Sequence, residues 1–295
     1  MNLDHVRLFQ RIVELGSMAA AARETGLSAT SVSERLAALE AHFGVTLLHR
    51  TTRSISLTDA GRTFWQGAEQ ILEDTASLES QIRHGAETLS GLVRISAPSD
   101  LGRGLVSAAI DHFQTENPEV RFELHLYDGY VDIVGEGVDI ALRFGPITDS
   151  SLRVRPLGEI SRIVCASPDY IAENGRPEAP EDLAGHQCLI MRFGELLDNQ
   201  WVFAQGTRKR TVMVNGRRIS NDGHIVRMWC VAGAGIALKS ELDIAEDLRT
   251  GRLVALLEDF KAPPRPLQML FPPSRRQPTR VRAFADHLAG SLQSE

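Results

Sequence analysis

Residues 17–40, SMAAAARETGLSATSVSERLAALE, contain two helix-forming stretches separated by a glycine, and this segment most restricts how the chain can fold. Ser17 is a favourable N-cap residue, and the alanines that follow it are strong helix formers. Gly26 permits the left-handed backbone of a sharp turn, and Ser28 is placed to cap a second helix. The segment therefore predicts two short helices joined by a tight turn.

The second helix has one apolar face and one face of small and polar residues. Val32, Leu36, Leu39 and Phe43 recur at spacings of four, three and four residues, which predicts that they face a core. The opposite face resembles that of a helix whose N-terminal turns enter the major groove of DNA. On it we predict the DNA contacts Ser28, Ala29, Thr30, Ser33, Glu34 and Arg35. An ordinary helical hairpin without a DNA-binding role would show the same pattern.

The flanking segments favour DNA binding over a plain hairpin. An amphipathic helix that could cover the hairpin is indicated by Leu8, Phe9, Ile12 and Val13. Residues 45–61, VTLLHRTTRSISLTDAG, place apolar residues on both sides of a basic tip, which predicts a two-stranded wing. Residues of this tip are predicted to contact DNA phosphates, namely Arg50, Thr51 and Arg53.

Together these features resemble the N-terminal winged helix-turn-helix domain of LysR-type transcriptional regulators. The resemblance covers roughly the first sixty residues and includes the alanine run at 19–22, LS at 27–28, VS at 32–33 and FGVTLLHRTTR at 43–53. It implies a DNA-binding domain at residues 1–60. Many members of the family carry a basic residue where this chain has Glu34, so we expect this chain to contact DNA differently at that point.

The composition is that of a globular protein with two or three domains, because 43% of the 295 residues are hydrophobic and 24% are charged. The 32 basic and 38 acidic residues give a net charge of −6. The first 62 residues are nearly balanced in charge, so DNA affinity must come from local placement of arginines. No signal pattern opens the sequence, and no apolar run approaches the ~20 residues of a membrane span. We expect a cytoplasmic protein with no membrane partner.

The sequence contains no pattern typical of an enzyme or a metal site. Cys165, Cys188 and Cys230 lack CxxC spacing, and the nine histidines are scattered. The cysteines are predicted to be reduced and buried, with a redox pair of Cys188 and Cys230 as the alternative. Motifs of serine hydrolases, zinc proteases and P-loop enzymes do not occur. We therefore expect no catalytic residues, no metal and no cofactor.

Residues 58 to about 84 are predicted to form a long helix that begins with Thr58 and Asp59 as capping residues. Apolar and small residues alternate at spacings of four and three, as in a coiled-coil seam about 40 Å long. The seam consists of Phe64, Ala68, Ile71, Thr75, Leu78 and Ile82. We expect this linker helix, at residues 61–90 with its hinge, to join two copies of the chain. The alternative is a helix that packs only on its own domain.

After a glycine-bounded hinge at 85–91, predicted strands and helices alternate at the spacing of an α/β fold with a mostly parallel sheet. Strands are predicted at 92–97, 120–127, 138–144, 151–159, 162–166, 188–192, 201–204, 210–214, 235–239, 253–257 and 267–271. Helices are predicted at 101–113, 130–135, 170–174, 222–231 and 240–248, with a last helix near 281–288. The chain is expected to enter a second lobe near residues 167–168 and to return through the prolines at 263–266.

This half resembles the effector domain of LysR-type regulators of the CrgA-like branch, which includes regulators of malate-type organic-acid catabolism. The resemblance is carried by GLVRISAP at 91–98, VDIVGEGVDIALRFGPITDSSLRVRPLG at 131–158, ASPDYIAENGRPEAPEDLAGHQCL at 166–189 and GIALKSELDIAEDLRTGRLV at 235–254. It implies a two-lobed effector domain of the periplasmic-binding-protein-like type (type 2) at residues 91–295. The first lobe would comprise about 91–165 and 267–295, and the second about 166–266.

Polar residues after predicted strands indicate a ligand cleft, because ligands of open α/β sheets bind outside the carboxyl ends of strands. The predicted effector-binding residues are Ser99, Asp100, Arg143, Phe144, Asn221 and Asp222. Arg143 can hold a carboxylate through two hydrogen bonds, whereas Asp100 and Asp222 disfavour a simple dicarboxylate unless Arg143 or Arg192 dominates. Equally consistent with the sequence are helix caps at Ser99 and Asp100 and a surface salt bridge at Arg143.

These expectations describe a LysR-type regulator that binds double-stranded DNA at an interrupted inverted repeat. A small organic acid or aromatic effector would modulate the binding, and the protein would form a homodimer or homotetramer that contacts RNA polymerase. The competing class is a small-molecule-binding protein or enzyme whose N-terminal helices only dimerise. The basic tip of the wing and the polar outer face of the second helix disfavour that alternative.

Overall fold

The computed structural model describes residues 1–50, 55–84, 88–129, 133, 135–147, 150–273 and 277–292. Within these ranges the backbone alone is described for Arg50, Gln70, Glu73, Ser77, Ser80, Gln81, Arg83 and His84. The chain divides into two compact units, Met1–Leu92 and Val93–Glu295. None of the described helices is both long and apolar enough to cross a membrane.

The first unit consists of four helices and a small antiparallel wing. The helices are α1 (Leu3–Leu15), α2 (Met18–Thr25), α3 (Ala29–Phe43) and α4 (Asp59–His84), and the wing strands are β1 (Leu48–Arg50) and β2 (Ile55–Leu57). The predicted caps are confirmed, because Ala20 N–H donates to Ser17 Oγ at 3.3 Å and Ser31 N–H donates to Ser28 Oγ at 3.1 Å. Gly26 has a φ of 68°, the left-handed turn that the sequence predicted.

The core of this unit lies under α3, where Val32, Leu36 and Leu39 are at most 1% exposed, as predicted. Phe43, the fourth residue of the predicted stripe, is instead 43% exposed. It lies at the last turn of α3, and its ring packs at 5.1 Å from the ring of Phe64 on α4. The apolar stripe therefore ends at the surface of the unit rather than inside it.

The wing is fixed to α3 and α4 by side-chain hydrogen bonds. Glu40 Oε1 accepts from Leu47 N–H at 2.9 Å, and Thr58 Oγ1 donates to the backbone oxygen of Thr46 at 2.8 Å. The same Thr58 oxygen accepts from Gly61 N–H at 2.9 Å, which confirms Thr58 as the cap of α4. A side chain at Gly61 would place its Cβ 2.0 Å from the backbone oxygen of Leu47, so glycine permits this close approach. The predicted phosphate contacts Thr51 and Arg53 lie outside the described residues.

The predicted seam of α4 is only partly free. Phe64 packs against the Phe9 ring at 5.1 Å, and Ala68 is 1% exposed within the core of the same unit. These two residues therefore contact their own domain, which corrects the expectation that they face a partner. The rest of the stripe is more open, with Ile71, Leu78 and Ile82 exposed by 37%, 56% and 75%.

The second unit is an α/β domain built on one large sheet. Its strands are β3 (Gly91–Ala97), β4 (Val120–Leu126), β5 (Ile140–Phe144), β6 (Arg153–Ala166), β7 (Cys188–Phe193), β8 (Leu196–Leu197), β9 (Gln200–Gln205), β10 (Arg208–Met213), β11 (Arg218–Ser220), β12 (Ile236–Ser240), β13 (Val254–Leu256) and β14 (Ala262–Phe271). Its helices are α5 (Ser99–Leu101), α6 (Ser107–Glu116), α7 (Pro168–Asn174), α8 (Gly223–Val231), α9 (Glu241–Arg249) and α10 (Thr279–Ser291). A π-helical turn, Gly102–Val106, joins α5 to α6, and a 3₁₀ turn spans Pro180–Gly185.

The strand order is β11-β7-β12-β6-β14-β5-β3-β4, with β13 beside β6 and β8 beside β7. Parallel pairs such as β3 with β5 and β7 with β12 occur on either side, but the central strands β6 and β14 pair antiparallel with each other and with their neighbours. The sheet is therefore mixed, which corrects the expectation of a mostly parallel sheet. We call β3, β4 and β5 with α5, α6 and α10 the first lobe, and β7, β11, β12 and β13 with α7, α8 and α9 the second lobe.

The two lobes are joined by the long strands β6 and β14. The sequence predicted two strands at 151–159 and 162–166 with a crossing near 167–168, but β6 is continuous over Arg153–Ala166. Its first half pairs with Leu267–Phe271 and its last residues pair with β12 and β13, so the crossing lies inside the strand. The return runs through the prolines of β14, as predicted, with a shift in register between Ala262 and Arg265. The predicted helix at 130–135 lies largely outside the described residues.

The three cysteines are free and buried, as predicted. Cys165 Sγ lies 3.9 Å from Cys230 Sγ, in a core cluster on one face of the second-lobe sheet. Cys188 belongs to the cluster on the opposite face, together with Val164 and Ala166, the chain neighbours of Cys165. Because successive strand residues point to opposite faces, the pairing considered between Cys188 and Cys230 is wrong, and Cys165 is the neighbour of Cys230.

Candidate DNA-binding face and ligand cavity

The predicted DNA-contacting residues of α3 form its outer face. Ser28, Ala29, Thr30 and Glu34 are exposed, while Ser33 and Arg35 are half-buried. Among the residues that the structure describes, Glu34 and Arg35 form no ion pair, so each is available to an outside partner. The arrangement presents three hydroxyls, the methyl group of Ala29 and one charge of each sign near a helix N-terminus, which can contact base edges and phosphates.

A cavity of about 760 Å³ lies between the lobes of the second unit. Its walls come from the carboxyl ends of β5, β7 and β12 and from the two connecting strands β6 and β14. The charged residues among those that line it are Asp100, Asp128, Arg143, Arg162, Asp198, Lys239 and Arg265. A concave site between two lobes, with apolar walls and charged groups at defined points, is typical of a small-molecule pocket.

The Asp128 carboxylate links the two lobes at one end of this cavity. Its Oδ1 accepts from the backbone N–H of Ser99 at 3.0 Å, and its Oδ2 accepts from the backbone N–H of Gly223 at 3.0 Å. Ser99 Oγ lies 2.5 Å from Asp128 Oδ2 and 2.9 Å from Asp222 Oδ1. The single hydroxyl hydrogen of Ser99 therefore serves one of the two carboxylates at a time.

The two carboxylates around Ser99 differ in acidity. Burial raises the pKa of Asp128, and its hydrogen bonds with Ser99 and Gly223 offset this effect only in part. Burial acts in the same direction on Asp222, but hydrogen bonds from Ser99 and from two N–H groups of α8 outweigh it and lower the pKa of Asp222. Asp128 is thus the more readily protonated member of the pair.

Lys239 forms a second link between the lobes. It is 4% exposed, and its Nζ lies 2.9 Å from Asp243 Oδ2 and 3.4 Å from Asp100 Oδ2. It also donates to the backbone oxygen of Gly223 at 2.9 Å. Burial alone would lower the pKa of Lys239, but attraction to the two carboxylates outweighs it and raises this pKa.

Arg143 lies at the end of β5 on the first-lobe wall. Its guanidinium donates to the backbone oxygen of Leu142 at 2.6 Å and to Ser96 Oγ at 2.7 Å. Burial lowers the pKa of Arg143, and the field of Asp128 opposes this shift. Among the residues that the structure describes, no carboxylate forms an ion pair with Arg143.

The connecting strands place two more arginines around one carboxylate. Arg162 lies 2.6 Å from Asp198 Oδ2, and Arg265 lies 3.5 Å from the same oxygen. The Arg265 guanidinium also lies over the Phe193 ring, 5.8 Å from its centroid. Burial lowers the pKa of Arg162 to about 10, with Asp198 acting in the opposite direction. Together, Arg162, Arg265 and Asp198 carry a net charge of +1.

The structure separates the predicted effector residues into two groups. Asp100, Arg143 and Phe144 line the cavity, whereas Ser99 and Asp222 belong to the hydrogen-bonded link beside it. Asn221 is exposed and is not among the described lining residues, which differs from the expectation of one pocket that contains all six. The caps considered at Ser99 and Asp100 are not observed, because the N-cap residue of α5 is Pro98, without a side-chain cap hydrogen bond. Asp222 instead caps α8, accepting from His224 N–H at 2.8 Å. Arg143 is half-buried and forms no ion pair with a described carboxylate, which differs from the surface salt bridge considered as its alternative.

Sequence reasoning missed Asp128, Lys239 and the group formed by Arg162, Asp198 and Arg265. Lys239 ends a buried strand, at the same kind of position that identified Arg143, so this signal was present in the sequence. Asp128 directly follows the predicted strand at 120–127, so the same signal was present for it. Arg162 and Arg265 lie within the connecting strands and Asp198 lies in a loop of the second lobe, where the strand-end rule does not apply. Arg192 lies between the lining residues Met191 and Phe193 on β7 and is not itself among the described lining residues, because side chains alternate along a strand.

A capped helix-turn-helix with an open outer face, together with a two-lobed domain around a cavity, defines a DNA-binding regulator that carries its own ligand-binding domain. Comparison with known families agrees with this class. The family model "Bacterial regulatory helix-turn-helix protein, lysR family" matches residues 3–62, and the model "LysR substrate binding domain" matches residues 86–293. The chain belongs to the LysR family of transcriptional regulators.

Similar proteins include named regulators. The HTH-type transcriptional regulator CrgA of Neisseria meningitidis serogroup C (strain 8013) is 33% identical over 295 residues, which cover 99% of this chain and 97% of that protein. The HTH-type transcriptional regulator DmlR of Escherichia coli (strain K12) is 33% identical over 261 residues, 88% of this chain and 85% of that protein. Both matches cover nearly the whole of each protein.

Solved structures of the family superpose on the full chain. The structure of CrgA from Neisseria meningitidis has a TM-score of 0.65 at 30% identity and covers 99% of both chains. The full-length structure of the Vibrio cholerae virulence activator AphB has a TM-score of 0.61 at 32% identity and covers 98% of this chain and 99% of that chain. The order of helix-turn-helix, long helix and α/β domain is thus shared with known regulators.

Proposed function

We propose that this LysR-family regulator binds an interrupted inverted repeat in double-stranded DNA and that a small molecule in the inter-lobe cavity changes this binding. The observation that carries the DNA-binding part is the outer face of α3. Its first turn is exposed at Ser28, Ala29 and Thr30, while the opposite face is buried in the core of its own unit. A recognition helix needs this division, because its inner face must hold it rigidly while its outer face reaches base edges.

The proposed assembly is a homodimer, or a homotetramer built from two dimers, that pairs two copies of α4. Support comes from Ile71, Leu78 and Ile82, which are exposed along one stripe of a 26-residue helix. A continuous apolar stripe on a surface helix is typical of a coiled-coil contact. A dimer presents two recognition helices to two half-sites, which accounts for the inverted repeat.

The proposed response to an effector is a shift between two arrangements of the lobes. The cavity lies where β6 and β14 join the lobes, so a ligand that contacts both walls favours the arrangement that encloses it. Such a shift would alter the spacing of paired DNA-binding domains and their contact with RNA polymerase at a promoter. Because its partner is chromosomal DNA, we expect the protein to act in the cytoplasm.

The proposal is tested by binding to DNA from the regulator's own promoter region, with a scrambled duplex as the competitor. The variant Thr30→Asp places a negative charge on the exposed first turn of α3. Acidic residues stabilise a helix N-terminus, so loss of binding would not reflect unfolding of α3. Ala38→Asp, also exposed on α3, is the control. We expect Thr30→Asp to abolish the shift of promoter DNA and Ala38→Asp to retain it; equal loss in both variants would contradict the assignment of this face.

A further inference from the structure

The cavity contains a half-buried cation without a carboxylate partner among the described residues. Arg143 is held by hydrogen bonds to two neutral oxygens, from Leu142 and Ser96. Asp128 and Glu136 attract this guanidinium at longer range, but burial still lowers the pKa of Arg143, so a ligand anion in direct contact would be favourable. The two hydrogen bonds fix the orientation of the guanidinium, so the group is already positioned for an anion.

The remaining surface of the cavity offers few neutral hydrogen-bonding groups. Most described lining residues are apolar, namely Phe144, Pro146, Ile147, Leu152, Ile160, Met191, Phe193, Leu196, Leu238, Pro264, Pro266 and Leu270. Among the lining residues that the structure describes, Ser240 is the one with a neutral polar side chain. The charged lining residues Asp100, Asp128, Asp198, Lys239, Arg162 and Arg265 are bonded to protein groups, so the apolar walls provide most of the surface that remains for a ligand. The walls suit a molecule with an apolar body and one charged group.

The chain's own carboxylate already occupies the backbone donors that could otherwise receive a ligand anion. Asp128 accepts from Ser99 N–H and Gly223 N–H, each at 3.0 Å. A second carboxylate at this point would meet like charge from Asp128 and Asp222. The cationic groups that can receive an anion are therefore Arg143 and, on the connecting strands, the pair of arginines that share Asp198.

We propose that the effector is a carboxylate with a bulky apolar body, whose carboxylate binds Arg143. The apolar body packs against Phe144 and Ile147 of the first lobe and against Met191 and Phe193 of the second, within a volume of about 760 Å³. Arylalkanoic acids and medium-chain fatty acids have this chemistry, whereas short dicarboxylates lack the body. This inference rests on the proposed function, because it names the ligand class of the same cavity.

The experiment measures direct binding of carboxylic acids and their primary amides to the full chain in the absence of DNA. The probes are benzoate, 4-phenylbutanoate and octanoate, each compared with its amide at pH 7.5, with succinate as the short dicarboxylate. Thermal shift identifies binding, and titration calorimetry gives the Kd. We expect 4-phenylbutanoate or octanoate to raise the Tm and their amides and succinate to have little effect.

Substitutions at Arg143 test whether this residue binds the carboxylate of the ligand. The variant Arg143→Gln should weaken the best acid about ten- to a hundredfold, the loss expected for a charge-assisted hydrogen bond, and should abolish the preference for acid over amide. Arg143→Lys keeps the charge and should retain part of the affinity. Arg192→Gln is the matched control, since Arg192 lies between two lining residues on β7 but is not among the described lining residues. Unliganded melting curves establish that each variant is folded.

The outcomes separate this inference from the proposed function. If the amides bind as well as the acids, if no acid binds at millimolar concentration, or if Arg143→Gln binds the acid like the parent, the ligand assignment is wrong. Binding of promoter DNA is measured on the same preparations without ligand. A parent chain that shifts promoter DNA but fails the acid test retains the proposed function, whereas one that binds acids but not DNA loses it.

Discussion

Removal of the buried cation Lys239 is the perturbation whose effect on stability the structure defines most closely. Lys239 is 4% exposed and Asp243 is 2% exposed, with Nζ and Oδ2 2.9 Å apart. Asp100 Oδ2, from the other lobe, lies 3.4 Å from the same nitrogen. The substitution Lys239→Met keeps the length of the side chain, so the change is mainly one of charge.

The expected loss is about 3–5 kcal/mol in the free energy of unfolding, because removal of one partner leaves buried charge uncompensated. Asp243 retains Arg227 at 3.7 Å, which places the loss toward the lower end of that range. The raised pKa of Lys239 also predicts how the stability of the parent depends on pH. Its stabilisation is present below the unfolded lysine pKa and is lost as pH rises through the folded value, so the parent should lose this contribution at high pH while Lys239→Met should not.

Urea unfolding monitored by tryptophan fluorescence tests this prediction in the full chain. Trp201 and Trp229 lie in the second unit and Trp65 in the first, so a Trp65→Phe background restricts the signal to the second unit. Arg249→Ala is the control, because it breaks an ion pair of 2.7 Å on α9 whose side chains are 73% and 55% exposed. We expect the control to lose little or no stability, because an exposed ion pair is screened by solvent. The reasoning would be refuted if Lys239→Met lost no more stability than this control, or if adding Asp243→Leu to Lys239→Met restored none of the lost stability.

Three further predictions concern the first unit. The double substitution Leu78→Asp and Ile82→Asp should give a monomer by light scattering, whereas Glu79→Lys on the same helix should leave the oligomer intact. If the double mutant had the molecular mass of the parent, these residues would not form the dimer contact. Glu34→Ala should change the preferred base at one half-site position by about 1–3 kcal/mol, measured by selection from randomised half-sites, and a uniform loss across sequences would show that Glu34 does not contact a base. Gly61→Ala should destabilise the unit by about 1–3 kcal/mol in thermal unfolding, since its Cβ would lie 2.0 Å from Leu47 O, whereas Gly67→Ala has nothing within 4 Å and should be neutral or stabilising.

Local sequence signals predicted the first unit well because they act over a few residues. Ser17, Ser28 and Thr58 accept the hydrogen bonds expected of N-cap residues, and Gly26 adopts the expected turn. Each of these features depends on backbone groups within four residues of the named side chain. The helix ends could therefore be located before any tertiary contact was known.

Periodicity alone did not identify the surface that an apolar stripe contacts. Phe64 and Ala68 belong to the same heptad pattern as Leu78 and Ile82, yet α1 covers the first two and leaves the last two exposed. The pattern reports that a face is apolar, and the three-dimensional position of α1 decides how far along α4 that face is covered. The antiparallel pairing of β6 with β14 was missed for the same reason, since strand direction depends on residues about one hundred positions apart.

The hydrogen bonds of Asp128 show most clearly what a strand-end rule cannot predict. The rule indicated that the backbone groups after β3 and before α8 would be open to a ligand, but a carboxylate from the loop after β4 accepts hydrogen bonds from both. Asp128 therefore joins the lobes through its negative charge, and the same charge interacts with Arg143 in the cavity. An anion at Arg143 adds a like charge near Asp128 and further favours its protonated form, which accepts hydrogen bonds from Ser99 and Gly223 less strongly. If the proposed anion binds Arg143, occupation of the cavity would therefore weaken the link between the lobes through charge alone, without a contact between the ligand and Ser99 or Gly223.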